Sequence, residues 1–398
     1  MSNLKEHPDV QELIDTLDKN GLEKEKAEVV SLADYIVDME KTLSGMLVEM
    51  QAMRNEVNLI HNSTLRAKCS RLVDKAENSI KQAFGVIRSV KEKFIESVKC
   101  FSSYEEMLKS DVEANYVATD ISTQCDISID CLNAGKHVLC EIPNIANEED
   151  AKRLKQAVLA NPKQKFMVAE NCCYWAFIES WKEMYEKGLL GEIVYAESDY
   201  LHKHKSTLVD GKLGWRAYLS SITYLTHNLG PLLYILDDRC DEITGFIPNI
   251  NPIEDIHPAP PNGVAMIKTK KGTLIKIYIG FGIHHMYAHN FAMYGSKGSV
   301  ENQRGKELRD ANTVASLDCV PYTHEAIEIP VTTAFPNTAN LGHGGADPKM
   351  VDAFIDCIIK DEKPPLDIDF GIDIALSGIY ADMSSKNGGK MYKIPEVI

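Results

Sequence analysis

Glu141 is the first residue whose type and place could do chemistry. It follows a glycine-stopped helix and a short apolar strand in the run Ala134-Gly135-Lys136-His137-Val138-Leu139-Cys140-Glu141-Ile142-Pro143-Asn144. Gly135 suits a helix C-cap, which needs positive φ. Residues 137–140 are too few for a helix and apolar enough for a buried parallel strand. Pro143 ends hydrogen bonding on it. Ligands of open α/β sheets bind just beyond the carboxyl ends of the strands, so Glu141 stands where a substrate or cofactor would be met. A plain surface carboxylate is the alternative. His227 falls near the start of an expected helix, a place where a lone histidine more often caps or packs. Trp215 and Arg216 ride a polar loop. His202-Lys203-His204 and His284-His285 lack a carboxylate or cysteine at ligand spacing, so no metal is expected.

Stepping along the chain supplies the elements that must position these groups. Residues 1–98 carry a heptad-spaced apolar seam over 29–60 and a second stripe over 65–98, joined by a polar turn. That pattern predicts an antiparallel helical hairpin or coiled-coil module. From Val98 the periodicity changes. Strands at 114–118, 137–141 and 165–169 alternate with helices at 123–134 and 147–160, the second half of a doubly wound nucleotide-binding domain. Beyond 172, strands at 192–202, 242–248, 264–269, 273–280, 290–294 and 299–302 mix with helices at 177–188, 224–236, 348–360 and 370–386. A last strand is expected at 392–394. The fold class is therefore α/β plus α+β: a helical module (1–98), a truncated Rossmann-like half domain (99–171) and an α+β open-sheet domain (172–398).

No Gly-x-Gly-x-x-Gly occurs: Gly280-Phe281-Gly282 and Gly342-His343-Gly344 each lack the third glycine. Hydrophobic content of 44% and charged content of 25% fit a globular chain of 398 residues, long enough for two or three domains. A formal charge of −15 argues against nucleic-acid or anionic-membrane partners. The polar N-terminus and ten cysteines without C-x-x-C spacing point to reduced thiols in a cytoplasmic protein.

The run 134–143 resembles the signature of the Gfo/Idh/MocA family of NAD(P)-dependent sugar oxidoreductases. The match continues through Ala169-Glu170-Asn171-Cys172-Cys173-Tyr174, Gly191-Glu192-Ile193-Val194, Tyr224-Leu225-Thr226-His227-Asn228-Leu229-Gly230-Pro231 and Gly342-His343-Gly344-Gly345. Two of these segments are most similar to the NAD-dependent N-acetylgalactosaminidase-like glycosidases. The resemblance spans about 99–398 and leaves out the first hundred residues. In that branch NAD⁺ transiently oxidises a sugar hydroxyl; the ketone acidifies the neighbouring C–H, the leaving group is eliminated, water adds and NADH reduces the ketone again.

The resemblance implies roles residue by residue. Tyr174 and His227 would be the acid/base groups, His227 a neutral acceptor at a helix start. Glu141, Trp215, Arg216, Tyr224 and Tyr287 would meet the substrate. Thr119, Gln124 and Glu141 would meet NAD or NADP. Ile142 stands where many family members have Lys, and the glycosidase-like branch also has an apolar residue there. Thr119-Asp120-Ile121-Ser122-Thr123-Gln124 replaces the usual Thr-Pro-x-x-x-His, and the glycine turn for the pyrophosphate is missing, so cofactor binding is expected to be weak or absent. The expected partners are a carbohydrate, a second copy through the C-terminal sheet and a protein for the N-terminal helices. A non-catalytic fusion of a helical module with a vestigial dehydrogenase-like body is the competing expectation.

Overall fold

The computed structural model describes residues 101–202, 208–209, 212–305, 313–320, 326–329 and 342–397, with Met46 and Asp74. The helical hairpin expected over 1–98 lies otherwise outside the described residues. The chain divides into two compact units, Met1–Glu106 and Met107–Ile398. A short helix, Tyr104–Leu108, crosses the boundary.

The second unit begins with a parallel sheet in the order β1 (Ala114–Val117), β2 (His137–Cys140), β3 (Phe166–Val168). Its crossovers are α1 (Ile121–Asn133) and α2 (Glu148–Ala160), each started by a side chain that accepts from the first-turn backbone, Asp120 and Asn147. β2 is buried on both faces, as the apolar run required: Val138, Leu139 and Cys140 are at most 3% exposed.

After β3 the chain turns through a 3-10 helix, Asn171–Tyr174, into α3 (Ala176–Glu186). Then comes the second sheet. Its strands are β4 (Ile193–Leu201), β7 (Cys240–Phe246), β8 (Asn262–Thr269), β9 (Leu274–Gly280), β10 (Ala288–Gly295), β11 (Gly298–Asn302), β12 (Thr313–Leu317), β13 (Ile327–Ile329) and β14 (Tyr392–Lys393). A two-stranded ribbon, β5 (Leu208–Val209) and β6 (Lys212–Leu213), stands apart. The nine strands run β13-β12-β11-β10-β4-β9-β8-β7-β14. All neighbours are antiparallel except β4 and β9, which pair in parallel from Tyr195↔Leu274 to Leu201↔Gly280. The expected helices and antiparallel strands are present, but the parallel pair at the centre was not foreseen. It joins segments too far apart in the chain for any local turn signal to announce it.

One face of this sheet is covered. Ile275, Ile277 and Ile279 of β9 and Phe291 and Met293 of β10 are buried with Phe177 and Trp181 of α3 and Leu229, Leu232 and Leu233 of α4 (Thr226–Leu236). Two further helices complete the unit: α5 (Gly342–Ile359), whose start is interrupted by left-handed His343, Gly344 and Gly345, and α6 (Ile368–Lys386). The other face carries Leu274, Phe246 and Tyr294, 47%, 55% and 41% exposed. Beside them Lys276 and Arg304 pair with Glu197. No described helix is long and apolar enough to cross a membrane.

Candidate functional site

α4 brings His227 to the covered face within its first turn. Opposite it, the 3-10 turn after β3 is capped by Glu170, whose Oε1 accepts from the Cys172 amide at 3.3 Å. The same oxygen lies 2.8 Å from His227 Nδ1. Glu170 has no exposed side-chain surface, while His227 keeps 13%. Close approach is possible because residue 230 is glycine: a Cβ there would stand 2.8 Å from Glu170 Cγ. Facing a carboxylate, Nδ1 carries the imidazole proton, and Nε2 is left with its lone pair. Cys172 Sγ is 3.2 Å from the same Nδ1. Burial, then Glu170, holds the Cys172 thiol well above its ordinary pKa, so it is not a thiolate nucleophile.

Around this pair stands an aromatic wall. Tyr224 and Tyr200 meet the His227 ring edge-on, with centroids 5.2 and 5.8 Å away. Tyr200 stacks on His289 at 3.9 Å. Tyr287 Oη is hydrogen-bonded to His289 Nε2 at 3.0 Å and is itself 44% exposed. Burial, and then the neighbouring His227, pushes the His289 pKa well below its usual value, so its ring is neutral. Burial raises the Tyr224 phenol to about 12, against the lowering effect of Arg216. Arg216 lies over the rings of Trp215 and Tyr224, at 5.3 and 5.8 Å. A cavity of about 100 Å³ opens between Tyr200, His202, Arg216, Tyr224, His257 and Phe281. The Ser220 and Ser221 hydroxyls at its edge are buried without a hydrogen-bond partner.

The structure thus brings His227, Tyr224, Tyr287, Trp215 and Arg216 into one neighbourhood. Glu141 is near enough to Tyr224 to raise its phenol, and accepts from Tyr116 Oη. Tyr174 does not join them. Its ring is 5% exposed beside Tyr234, its hydroxyl has no partner, and burial pushes its pKa far above the ordinary phenol value. The reason is the phase of the turn. In a 3-10 helix three residues make one turn, so residues two apart point about 240° apart. Cys172 faces His227, and Tyr174 therefore faces the core. Tyr174, expected as an acid/base group, thus lies outside the His227 neighbourhood.

Glu170, Cys172, Tyr200 and His289 had no role in the sequence reading. Glu170 and Cys172 stood in the motif beside Tyr174, and His289, in β10, follows Tyr287 by two residues and is hydrogen-bonded to it. Gly342-His343-Gly344-Gly345 backs the turn: the His343 carbonyl accepts from the Trp175 indole at 3.0 Å, and Asp347 accepts from Asn171 at 2.7 Å.

The nucleotide side is built differently. The Thr119 hydroxyl accepts from Thr123 at 3.0 Å. Gln124 is 2% exposed, and its amide donates to Thr119 O and accepts from Asn144 N, each at 3.1 Å. It joins two loops rather than presenting a free end. Asp120 occupies the N-terminus of α1, accepting from Ser122 N at 2.9 Å, and Asn147 does the same for α2 from Asp150 N at 2.9 Å. A pyrophosphate needs such helix ends open and glycine-lined. Among the described residues, the helix starts after β1 and β2 are occupied by these N-cap side chains.

Residues 6–101 match a family model described as a family of unknown function, DUF6674. A glycosyl hydrolase family 109 protein of Solibacter usitatus is 23% identical over 322 residues, covering 74% of this chain and 73% of that protein. Family 109 protein 2 of Phocaeicola vulgatus is 31% identical over 172 residues, 40% of this chain and 41% of its own length. An alpha-N-acetylgalactosaminidase of Bacteroides fragilis is 27% identical over 156 residues, 37% of this chain and 36% of its own. The chain thus spans well under half the length of the last two. Among solved structures, levoglucosan dehydrogenase in complex with NADH and levoglucosan superposes with a TM-score of 0.65 at 17% identity, over 75% of this chain and 84% of that one. An inositol dehydrogenase homolog of Azotobacter vinelandii, complexed with NADH and myo-inositol, gives 0.60 at 20%, over 73% and 80%. At those identities the likeness is one of fold. The homologues of this chain are glycosyl hydrolase family 109 proteins of the NAD-dependent, Gfo/Idh/MocA-like kind, and the N-terminal DUF6674 region is separate from them.

Proposed function

We propose that the unit 107–398 binds a sugar or glycoside in the His227 cleft, and that His227 Nε2 takes a proton from a sugar hydroxyl. The observation that carries this is the 2.8 Å pairing of His227 Nδ1 with buried Glu170. It fixes the tautomer that leaves Nε2 free to accept, and it stabilises the imidazolium as it forms. Tyr224, Trp215 and Arg216 offer the stacking face and donor groups that a polyhydroxylated ring needs. Tyr287, tied to His289, adds a second oriented phenol. The curated relatives named as family 109 glycosyl hydrolases support a glycoside, and the NADH-bound neighbours support a nicotinamide-linked reaction class. A bound nicotinamide would accept the hydride, and the part of this chain's residues is to orient the sugar and take the hydroxyl proton.

A second reading has its own observation. Asp120 and Asn147 close both helix ends of the parallel sheet, and no Gly-x-Gly-x-x-Gly occurs in the sequence. That favours a binding body joined to the DUF6674 region without turnover. Either way, the exposed face around Leu274, Phe246 and Tyr294 is read as a self-association surface. Light scattering of Leu274→Glu is expected to show a smaller species than the parent.

The experiment is calorimetric titration of the full chain with N-acetylgalactosamine and related monosaccharides, with and without NAD⁺. Saturable sugar binding lost in His227→Ala supports the reading. Sugar binding of equal strength in His227→Ala, or none in the parent, overturns it.

A further inference from the structure

Glu170, Cys172 and His227 are the one group of three candidate metal donors found together among the described residues. One donor atom from each lies within 4.8 Å of the others, and Glu170 Oε1 and Cys172 Sγ stand 2.8 Å and 3.2 Å from His227 Nδ1. With the third edge no longer than 4.8 Å, a point equidistant from the three lies at most about 2.5 Å from each, within reach of Zn–N, Zn–O and Zn–S bonds. Nothing in sequence spacing announces the set, because His227 is 55 residues from Cys172 and arrives on another helix. A second observation points to a ligand. Glu170 Oε2 is buried without a hydrogen-bond partner, on a side chain with no exposed surface. A buried carboxylate oxygen left in that condition costs free energy that a cation held by both oxygens of Glu170 would recover.

We propose that these three side chains form a binding site for a thiophilic divalent cation of the Zn²⁺ class. Mixed O, N and S donors suit Zn²⁺ or Co²⁺ and disfavour Mg²⁺ and Ca²⁺. Three protein ligands leave a fourth position for water on the exposed side of His227. Binding balances simply. The Cys172 thiol gives one proton to solvent, and the single imidazole proton moves from Nδ1 to Nε2 through solvent. The carboxylate, thiolate and Nδ1 lone pair bind the ion, and nothing is oxidised or reduced. One consequence rests on the function proposed above. With Nε2 carrying the proton, His227 cannot accept one from a sugar, so the ion switches the cleft off.

The test is Co²⁺ titration of the full chain, read by the thiolate-to-cobalt charge-transfer absorption, followed by displacement with Zn²⁺. One equivalent of Co²⁺ is expected to raise the band and one of Zn²⁺ to abolish it, with about one proton released per ion. Cys172→Ser should lose the band, and Glu170→Gln should weaken binding by more than about tenfold. Circular dichroism checks the fold of each variant. Should Cys172→Ser not fold, zinc-edge X-ray absorption of the loaded parent reads the same donor set, one sulfur with nitrogen and oxygen. A band that persists in Cys172→Ser, a zinc shell without sulfur, or no band below millimolar Co²⁺ overturns the site. The readout involves neither sugar nor NAD⁺. Metal binding without sugar binding keeps this inference and removes the proposed function, and the opposite result does the reverse.

Discussion

The two ligand-facing regions of the 107–398 unit treat their polar groups in opposite ways. At the His227 cleft, side chains from α4, β4, β10 and the turn after β3 converge with free valences. Buried hydroxyls of Ser220 and Ser221 lack partners, and Nε2 of His227 is left open by the Glu170 pairing. At the carboxyl ends of β1 and β2, the side chains of Asp120, Gln124 and Asn147 are bonded to the backbone of Ser122, of Thr119 and Asn144, and of Asp150. Unsatisfied buried polar groups cost about 1–3 kcal/mol each, and a fold keeps them where a ligand will complete them. The contrast is between a cleft edged by unpartnered hydroxyls and helix starts whose cap side chains are already bonded.

The sharpest way to break this contrast is kinetic. With a p-nitrophenyl glycoside and NAD⁺, His227→Ala is expected to lower turnover by about 10²–10⁴-fold. Tyr174→Phe should stay within a few-fold of the parent, because its ring is buried beside Tyr234 and its hydroxyl has no partner. A collapse in Tyr174→Phe with the fold intact would return that residue to the site.

Next in size is the cofactor. Each charge-assisted hydrogen bond missing from a pyrophosphate removes roughly 1.5–3 kcal/mol. Two or three of them put NAD⁺ and NADH dissociation constants above about millimolar. Calorimetry returning a micromolar constant would show that groups outside the turns after β1 and β2 rebuild the cradle.

Gly230→Ala probes how Glu170 is placed. Its Cβ would stand 2.8 Å from Glu170 Cγ, so the carboxylate must shift or the helix must move away. Chemical denaturation should show a loss of about 1–3 kcal/mol. Turnover should fall by about tenfold or more through misplacement of His227. Unchanged stability and turnover would mean that the turn yields freely.

The smallest effect concerns a second buried carboxylate that has no histidine. Asp373 on α6 accepts from Cys240 N at 3.0 Å, with Arg239 only at 3.9 Å. Burial raises its pKa from 3.8 to about 6. The folded state therefore holds this proton more tightly than the unfolded one. Its contribution to stability is fully present below pH about 3.8 and is lost as pH rises through about 6, worth at most about 3 kcal/mol. Asp373→Asn should gain stability relative to the parent on going from pH 4.5 to pH 7.5, as thermal melts would show. A difference that does not change with pH would place the carboxyl in better contact with water than its burial indicates.

Much of this was legible in the residues. The strands at 137–140 and 166–168, α2 and the β8–β9 hairpin follow from periodicity and turn residues alone. His227 and Tyr224 were singled out through a motif segment and Tyr287 through its offset to the 295–298 turn. The turn at 171–174 was not, because a 3-10 phase differs from an α-helical or extended one, and the difference decides whether Cys172 or Tyr174 faces the cleft. The Glu170–His227 pair was hidden for another reason. Its members are 57 residues apart, and no local rule carries a contact across that distance. The parallel β4–β9 pair escaped likewise.

That parallel pair has a kinetic consequence. Parallel neighbours cannot be joined by a hairpin, so the whole chain from Leu201 to Leu274 is their crossover connection. Arg216, Tyr224 and His227 all travel within it. Pairing of such sequence-distant strands is slow, because the loop entropy is lost before the contacts form. Local helices such as α2 can form early, whereas the cleft exists only once β9 has docked beside β4. A nascent chain that has emerged as far as α4 already holds Glu170 and His227, yet it has no strand to bring the connection home. Ligand binding should therefore be the last property to return on refolding, well after the helical signal.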